Sequence, residues 1–188
     1  IGCGNGDIAE KISKKVNQVF CVDISKEYVK ICKKRFKKNK NIHVKLIKGN
    51  YTNLSFLKKK NFSIVLCNSV VQYYNSQKEI IDLVKSVKKI VNKNCYFLIS
   101  DIEVLGYKKN YVKLFLNGLF HGYFLSLIFM TINLFLYKDY KKTEKKQKLL
   151  IVDYKKLIKK LKNIVSEIKL IDENLTANIG RKNILLRF

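Results

Sequence analysis

The sequence predicts an α/β protein built on a doubly wound, mostly parallel sheet with helices on both faces. Short apolar runs typical of buried strands alternate with amphipathic helical stripes of about 10–15 residues, which is the pattern of βαβ units. The run 62–67 is almost unbroken in its apolar character, as expected for a strand covered on both faces of a parallel sheet. A chain of 188 residues is long enough for one domain with a substantial core.

The predicted elements follow one another in a regular order after a glycine-rich turn at 1–7. Tyr28, Cys32 and Phe36 recur every four residues among lysines, which predicts an amphipathic helix. The other predicted elements are strands at 19–22, 43–47, 62–67 and 95–101, a helix over 80–91, a helix around 157–164, and two final strands at 166–172 and 183–188.

The glycine-rich turn and the acid that follows it predict a nucleoside site. Gly2, Gly4 and Gly6 let a ligand approach the main chain, and Asp23 lies at the end of the next apolar run, where an acid takes ribose hydroxyls. A dinucleotide fingerprint is spaced G-x-G-x-x-G and holds a pyrophosphate at a helix N-terminus. Here Asp7 puts a carboxylate at that place, so a pyrophosphate is disfavoured.

A G-x-G-x-G turn followed by an acid at the end of the next strand resembles the class I S-adenosylmethionine-dependent methyltransferases, which are Rossmann-like. The resemblance covers about 1–103 and 150–188 and is most specific at the first turn and at 62–74. It implies S-adenosyl-L-methionine as the cofactor, one methyltransferase domain over 1–188, and a closing antiparallel hairpin whose last strand inserts into the sheet. It also implies a first strand before Ile1, so the chain is expected to be truncated at its N-terminus.

The resemblance also indicates which residues bind the cofactor. Asp23 is expected to take the ribose hydroxyls, and Asn50, at the end of the third strand of the family, to meet the adenine. The full set of expected cofactor-binding residues is Gly2, Cys3, Gly4, Gly6, Asp23, Ile24, Asn50, Tyr51, Asn68 and Gln72. No metal is expected at the site.

Three side chains are candidates for a general base if the acceptor is a hydroxyl. Asp101 and Glu103 follow the strand at 95–101 and face the edge of the sheet where ligands gather. His121 lies further on, in an apolar stretch. Two of them have a structural alternative: His121 can be a core residue, and Asp101 can cap a following helix.

The stretch 114–137 carries no formally charged residue and lies within a predicted insertion at 107–149. Three interpretations are open: a membrane span, an interfacial or lipid-facing element, and packed helices forming a cap over the site. A span would put 150–188 across the membrane from the sheet they complete, which favours the cap. Gly118 and Gly122 allow a kink there.

The composition is strongly basic, with 39 Lys and Arg against 14 Asp and Glu and a net charge of +25. Only three of the basic residues are Arg, and Pro is absent. Two explanations stay open: the drift that an A/T-rich genome produces, and a surface selected for polyanions. The five cysteines show no metal-ligand spacing, and unpaired core thiols indicate a reducing, cytoplasmic compartment.

The expected function is methyl transfer from S-adenosylmethionine to a small molecule, with a hydroxyl of a sugar or a cell-surface glycan precursor favoured. The segments 68–74 and 100–102 and the closing hairpin resemble bacterial methyltransferases of surface-glycan and polysaccharide biosynthesis. One alternative is a methyltransferase of lipids or quinones that uses 114–137 at the membrane surface. Another is a non-catalytic or RNA-binding module with a Lys-rich surface, although nucleic acid is disfavoured as a partner.

Overall fold

The computed structural model describes residues 1–58, 60–106, 149–173, 175 and 180–188. Within these ranges the chain forms helices and strands in the alternating order that the sequence predicts. The helices are α1 (Asp7–Ser13), α2 (Lys26–Arg35), α3 (Gln77–Lys88) and α4 (Tyr154–Leu161). The strands are β1 (Val19–Asp23), β2 (Ile42–Leu46), β3 (Ile64–Asn68), β4 (Tyr96–Ile102), β5 (Glu167–Ile171) and β6 (Lys182–Arg187).

The strands form two sheets. β1 and β2 pair in parallel, and the larger sheet has the order β3-β4-β6-β5. β3 and β4 are parallel, while β6 runs antiparallel to both of its neighbours, β4 and β5. The last strand therefore lies inside the sheet, which confirms the predicted closing hairpin.

The main chain of Ile1 and Gly2 lies between the two sheets. The nitrogen of Ile1 donates to the carbonyl oxygen of Leu66 in β3 at 2.7 Å, and the N–H of Gly2 donates to the carbonyl oxygen of Val22 in β1 at 2.8 Å. Among the described residues no strand pairs with both β1 and β3, and this dipeptide joins the two sheets. The prediction that a strand precedes Ile1 stays a prediction.

Each sheet has its own apolar core, and the larger core supports the carboxyl ends of β3 and β4. Residues of α3 spaced three and four apart are fully buried, as a helix with one apolar face requires. The central buried side chains of this core are Ile80, Leu83, Val84, Val87, Phe97, Ile99, Leu157, Leu161, Ile184 and Leu186. The smaller core holds Ala9, Cys21, Cys32, Phe36 and Ile42 between β1–β2 and the first two helices.

The predicted insertion at 107–149 lies outside the described residues except for position 149, and so does its stretch 114–137. Its two flanks meet beside the end of β4. The N–H of Val152 donates to the carbonyl oxygen of Glu103 at 2.9 Å, and the N–H of Leu105 donates to that of Val152 at 3.1 Å. Segment 107–148 thus starts and ends at neighbouring points of the sheet edge.

A search of the helices in the described ranges found none with the length and apolar character needed to cross a membrane.

Candidate active site

Asp23, the last residue of β1, connects the glycine turn to the start of α2. Its Oδ2 accepts a hydrogen bond from the N–H of Gly4 at 2.9 Å, and its Oδ1 accepts one from the N–H of Ser25 at 2.9 Å. An ionised carboxylate offers about four acceptor positions, so two remain for a ligand. The side chain is nearly buried, which makes those remaining positions valuable for a hydroxyl that enters the site.

The three glycines of the turn have left-handed φ angles but differ in what surrounds them. A Cβ at Gly2 would lie 2.2 Å from Cγ2 of Val70, and one at Gly6 would lie 2.6 Å from Cε2 of Phe36. A Cβ at Gly4 would meet no atom within 4 Å. Gly2 and Gly6 therefore allow close packing inside the protein, whereas the open side of Gly4 leaves room for a ligand against the main chain. These residues fit a nucleoside cofactor.

Arg35 of α2 holds the outer side of the glycine turn. Its Nη1 donates to the carbonyl oxygen of Asn5 at 3.0 Å and to Oδ1 of Asp7 at 2.6 Å, and its Nη2 donates to Glu10. The hydrogen bond from Arg35 holds the pKa of the Asp7 carboxyl below its usual value. Asp7 is thus engaged on the surface and points its charge toward Arg35.

The side chain of Cys3, an expected cofactor residue, packs inward. Its sulfur lies 4.0 Å from the sulfur of Cys32, and the thiol of Cys32 donates to the carbonyl oxygen of Gly4 at 3.1 Å. Burial raises the pKa of Cys32 to about 12, so this thiol remains a neutral donor at pH 7. At Cys3 only the main chain is placed to face a ligand.

A second polar group lies at the carboxyl ends of β3 and β4 and is centred on Arg181, which directly precedes β6. The guanidinium lies 3.0 Å from Oδ2 of Asp101 and 3.0 Å from Oε2 of Glu103, and it also donates to Oε1 of Gln72. Sequence analysis gave Arg181 no role. The available signal was the rarity of arginine: Arg181 is one of three Arg among 39 basic residues, and Arg is preferred where one cation must meet several acceptors.

Two residues of this group have backbone angles that are uncommon outside glycine. Ser69 follows β3 with φ of 56°, and Asp101, near the end of β4, has φ of 64°. The hydroxyl of Ser69 donates to Oδ2 of Asp101 at 2.7 Å, and the N–H of Asp101 donates to Oδ1 of Asn183 at 3.0 Å. Strained residues of this kind cluster at functional sites.

The glycine turn and the second polar group meet through the segment 68–74. Val70 fills the space beside Gly2. Gln72 is nearly buried, and its Nε2 donates to the carbonyl oxygen of Ser69 at 3.3 Å. Asn68 accepts a hydrogen bond from the hydroxyl of Ser100 at 2.6 Å. The side chains of Asn68 and Gln72 are therefore held by the protein itself.

The remaining expected cofactor-binding residues are Ile24, Asn50 and Tyr51. Oδ1 of Asn50 accepts hydrogen bonds from the N–H and hydroxyl of Thr52, at 2.9 and 2.8 Å. The ring of Tyr51 packs on Tyr74 with centroids 4.8 Å apart, while Ile24 is exposed. In the described part of the chain no hydrogen bond joins these residues to the glycine turn. His121 lies outside the described residues.

The family is shown by the first half of the chain. Residues 1–94 of the 188 match the family model described as a methyltransferase domain. The chain therefore belongs to the methyltransferase domain family, which confirms the predicted class of enzyme. No curated protein matches the chain.

Solved structures agree on the fold. A S-adenosylmethionine-dependent methyltransferase from Methanosarcina mazei is 14% identical, with a TM-score of 0.57 over 99% of this chain and 87% of that one. Magnesium protoporphyrin IX methyltransferase from Synechocystis PCC 6803, with bound S-adenosylhomocysteine, is 11% identical, with a TM-score of 0.57 over 100% of this chain and 72% of that one. These matches support the Rossmann-like methyltransferase fold.

Coverage is shorter for other structures. A S-adenosylmethionine-dependent methyltransferase from Clostridium acetobutylicum is 18% identical with a TM-score of 0.46, and the match covers 54% of this chain and 41% of that one. The chain thus spans less than half the length of that protein.

Proposed function

We propose that this chain transfers the methyl group of S-adenosylmethionine to a hydroxyl of a small molecule, a sugar or a cell-surface glycan precursor. The observation that carries the proposal is Asp23, which anchors the glycine turn through Gly4 and keeps acceptor capacity beside the open side of that glycine. Membership in the methyltransferase domain family supports the reaction class.

The cofactor supplies the reactive methyl group on a sulfonium, and the protein supplies position and exclusion of water. In the proposed site Asp23 accepts hydrogen bonds from the ribose hydroxyls of the cofactor, while the main chain of Cys3 and Gly4 lines the methionine part of the cofactor. Gly2 and Gly6 act indirectly, since they let the turn pack on Val70 and Phe36. Ile24, Asn50, Tyr51, Asn68 and Gln72 complete the proposed cofactor set.

Glu103 is the best-placed candidate for the base that accepts the hydroxyl proton. Its side chain is 15% exposed, and among the described residues Arg181 engages its Oε2, so we assign Oε1 to the acceptor. Asp101 is 3% exposed, and its Oδ2 meets both Arg181 and Ser69. We therefore assign Asp101 to holding the site together. His121 stays a prediction.

The flanks of the 107–149 insertion support an acceptor pocket at this edge of the sheet. The N–H of Leu150 donates to the carbonyl oxygen of Gln72 at 2.8 Å, and the N–H of Val152 donates to the carbonyl oxygen of Glu103. A helical cap formed by the insertion remains part of the proposal. The sugar or glycan acceptor rests on the resemblance of 68–74 and 100–102 to methyltransferases of such pathways.

Cofactor binding is tested by isothermal titration calorimetry with S-adenosylmethionine. We expect the protein to bind with a dissociation constant on the order of 10 µM, within the usual range for enzyme ligands. Asp23→Asn should weaken binding by about 10- to 100-fold, because a charge-assisted hydrogen bond is lost. Asp172→Asn is the matched control, since that carboxylate is 88% exposed. A protein that gives no heat of binding at millimolar cofactor would overturn the proposal.

The acceptor is tested with S-adenosylmethionine labelled in its methyl group. Three pools are offered separately: nucleotide sugars with simple glycosides, phospholipid vesicles that contain a quinone, and total RNA. We expect label in the first pool. Transfer to the vesicles or to RNA alone would replace the sugar acceptor by the corresponding class.

A further inference from the structure

Arg181 lies where three separate parts of the chain meet. It contacts Gln72 in the segment 68–74 and Asp101 and Glu103 at the end of β4, and it directly precedes β6, the returning strand of the hairpin. Its side chain is 5% exposed. A buried cation with two carboxylate partners joins these parts far more rigidly than an exposed one.

Gln72 and Glu103, two of the partners of Arg181, also hold residues 150–152 through their main chains. The carbonyl oxygen of Gln72 accepts a hydrogen bond from the N–H of Leu150 at 2.8 Å. The carbonyl oxygen of Glu103 accepts one from the N–H of Val152 at 2.9 Å. The guanidinium of Arg181 therefore fixes the side chains of Gln72 and Glu103. These are the same two residues whose carbonyl oxygens bind the N–H groups of Leu150 and Val152.

A short series of contacts leads from Arg181 to the glycine turn. Gln72 binds the carbonyl oxygen of Ser69 through its Nε2, and Ser69 is tied to Asp101. Val70 lies between Ser69 and Gln72, and it occupies the place where a Cβ of Gly2 would be, 2.2 Å from its Cγ2. A shift of the segment 68–74 would therefore move the surface on which the glycine turn packs.

The left-handed backbone of Ser69 and Asp101 indicates that this arrangement is held against a cost. Residues other than glycine keep such angles only when their surroundings determine them. Here the surroundings include the Ser69–Asp101 hydrogen bond and the Asp101–Arg181 ion pair.

We propose that Arg181 is a positioning residue for both ligands of the site: it holds 68–74 against the glycine turn and holds 150–152 beside Glu103. This inference rests on the proposed function. The planar guanidinium meets carboxylate and amide oxygens at fixed angles, which the ammonium of Lys does not reproduce. Arg181 acts on the cofactor only through Gln72, Ser69 and Val70.

The test combines calorimetry with S-adenosylmethionine, thermal unfolding and amide hydrogen exchange on Arg181→Lys and Arg181→Met. We expect Arg181→Met to lower the unfolding midpoint by about 10 °C. Both variants should weaken cofactor binding by at least about 10-fold, and exchange should become faster at the amides of Leu150 and Val152. Arg181→Lys should recover most of the midpoint without recovering the affinity, which a purely structural role would not produce.

Ser69→Gly keeps the test open if Arg181→Met does not fold. Glycine adopts the φ of 56° without strain, which offsets part of the cost of removing the hydroxyl bound to Asp101, so we expect the variant to fold. We expect its cofactor binding to be weaker, because Ser69 no longer holds Asp101. The matched control for Arg181→Lys is Arg187→Lys in β6, where the arginine side chain is 40% exposed and pairs with Glu167 at 3.7 Å.

Unchanged affinity and unchanged exchange in Arg181→Lys and Ser69→Gly would overturn the inference. So would a lower midpoint in the Arg181 variants without any change in affinity. A wild-type protein that does not bind the cofactor would instead overturn the proposed function. In that case faster exchange at Leu150 and Val152 in the Arg181 variants still reads out the positioning of 150–152, and unchanged exchange would overturn it.

Discussion

Two arginines in this protein each bridge a pair of carboxylates, one pair beside the glycine turn and one at the end of β4. Arg35 binds Asp7 at 2.6 Å and also Glu10, with side chains that are between a third and three-fifths exposed. Arg181 binds Asp101 and Glu103, both at 3.0 Å, with side chains that are 3–15% exposed. The chemistry is the same, and only the surroundings differ.

That difference separates how the two halves of the site are held. Water and salt screen the Arg35 cluster, so it adds little to stability. The glycine turn is held instead by main-chain hydrogen bonds to Asp23 and by the packing of Gly2 and Gly6. Loss of Arg181 would leave two carboxylates, Asp101 and Glu103, together without their cation at a site that is 3–15% exposed. The glycine turn, where the cofactor is proposed to bind, is thus held mainly by its backbone geometry. The Arg181 cluster, where the acceptor is proposed to bind, is held by buried charges.

The largest expected effect is that of Asp101→Asn. Asn tolerates the left-handed backbone and keeps an acceptor for Ser69, so the substitution removes mainly the charge opposite Arg181. The free energy of unfolding, measured by urea denaturation, should fall by about 3 kcal/mol, because charge-assisted hydrogen bonds from both Arg181 and Ser69 are weakened, although Glu103 still pairs with Arg181. Asp7→Asn, which removes the matching charge at Arg35, should leave the urea midpoint unchanged within error. Equal losses in the two variants would show that burial does not distinguish the clusters.

The next effect is on the other side of the comparison and concerns Gly2. Gly2→Ala adds a Cβ that collides with Val70 and also imposes a left-handed φ of 66° on alanine. We expect a loss of about 2–3 kcal/mol in urea denaturation, against about 1 kcal/mol for Gly4→Ala, where only the φ matters.

A double variant tests the cause of the loss at Gly2. Gly2→Ala combined with Val70→Ala should lose less than the sum of the single losses, since the collision is gone. Strict additivity would mean that Val70 does not support the turn.

The comparison also explains which parts of the site the sequence predicts. Gly2, Gly4, Gly6 and Asp23 lie within 23 residues, and their roles depend on local backbone and one strand end, so the motif is readable in the chain. Asp101 and Glu103 were placed at the right edge because parallel strands end together. The closing hairpin was readable for a similar reason: its two apolar runs are separated by a turn at Gly180.

Arg181 could not be found in this way. Its partners are 78 to 109 positions away along the chain, and they come together only because β6 returns antiparallel beside β4. No local pattern announces a pairing of that range. The division of the strands into two sheets is a long-range property of the same kind, since it depends on whether the edges of β1 and β3 meet and not on either strand alone.

The smallest expected effect is that of Arg35→Gln, and its dependence on pH and salt identifies the kind of interaction. The hydrogen bond from Arg35 lowers the pKa of Asp7 below the ordinary 3.8. A carboxyl whose pKa is depressed on folding contributes stability above its unfolded pKa and loses that contribution as the pH falls through its folded pKa. The small difference in thermal midpoint between wild type and variant at pH 7 should therefore begin to shrink as the pH falls below about 3.8 and vanish below the lower, folded-state pKa of Asp7. The difference should also shrink in about 0.5 M NaCl, where charges are screened within a few ångströms.

The loss in Asp101→Asn should persist in the same salt, because no ions reach the buried pair of Asp101 and Arg181. A loss in Arg35→Gln that resists salt would place the Arg35 cluster in the class of buried networks, and the glycine turn would then depend on charge as much as on its backbone.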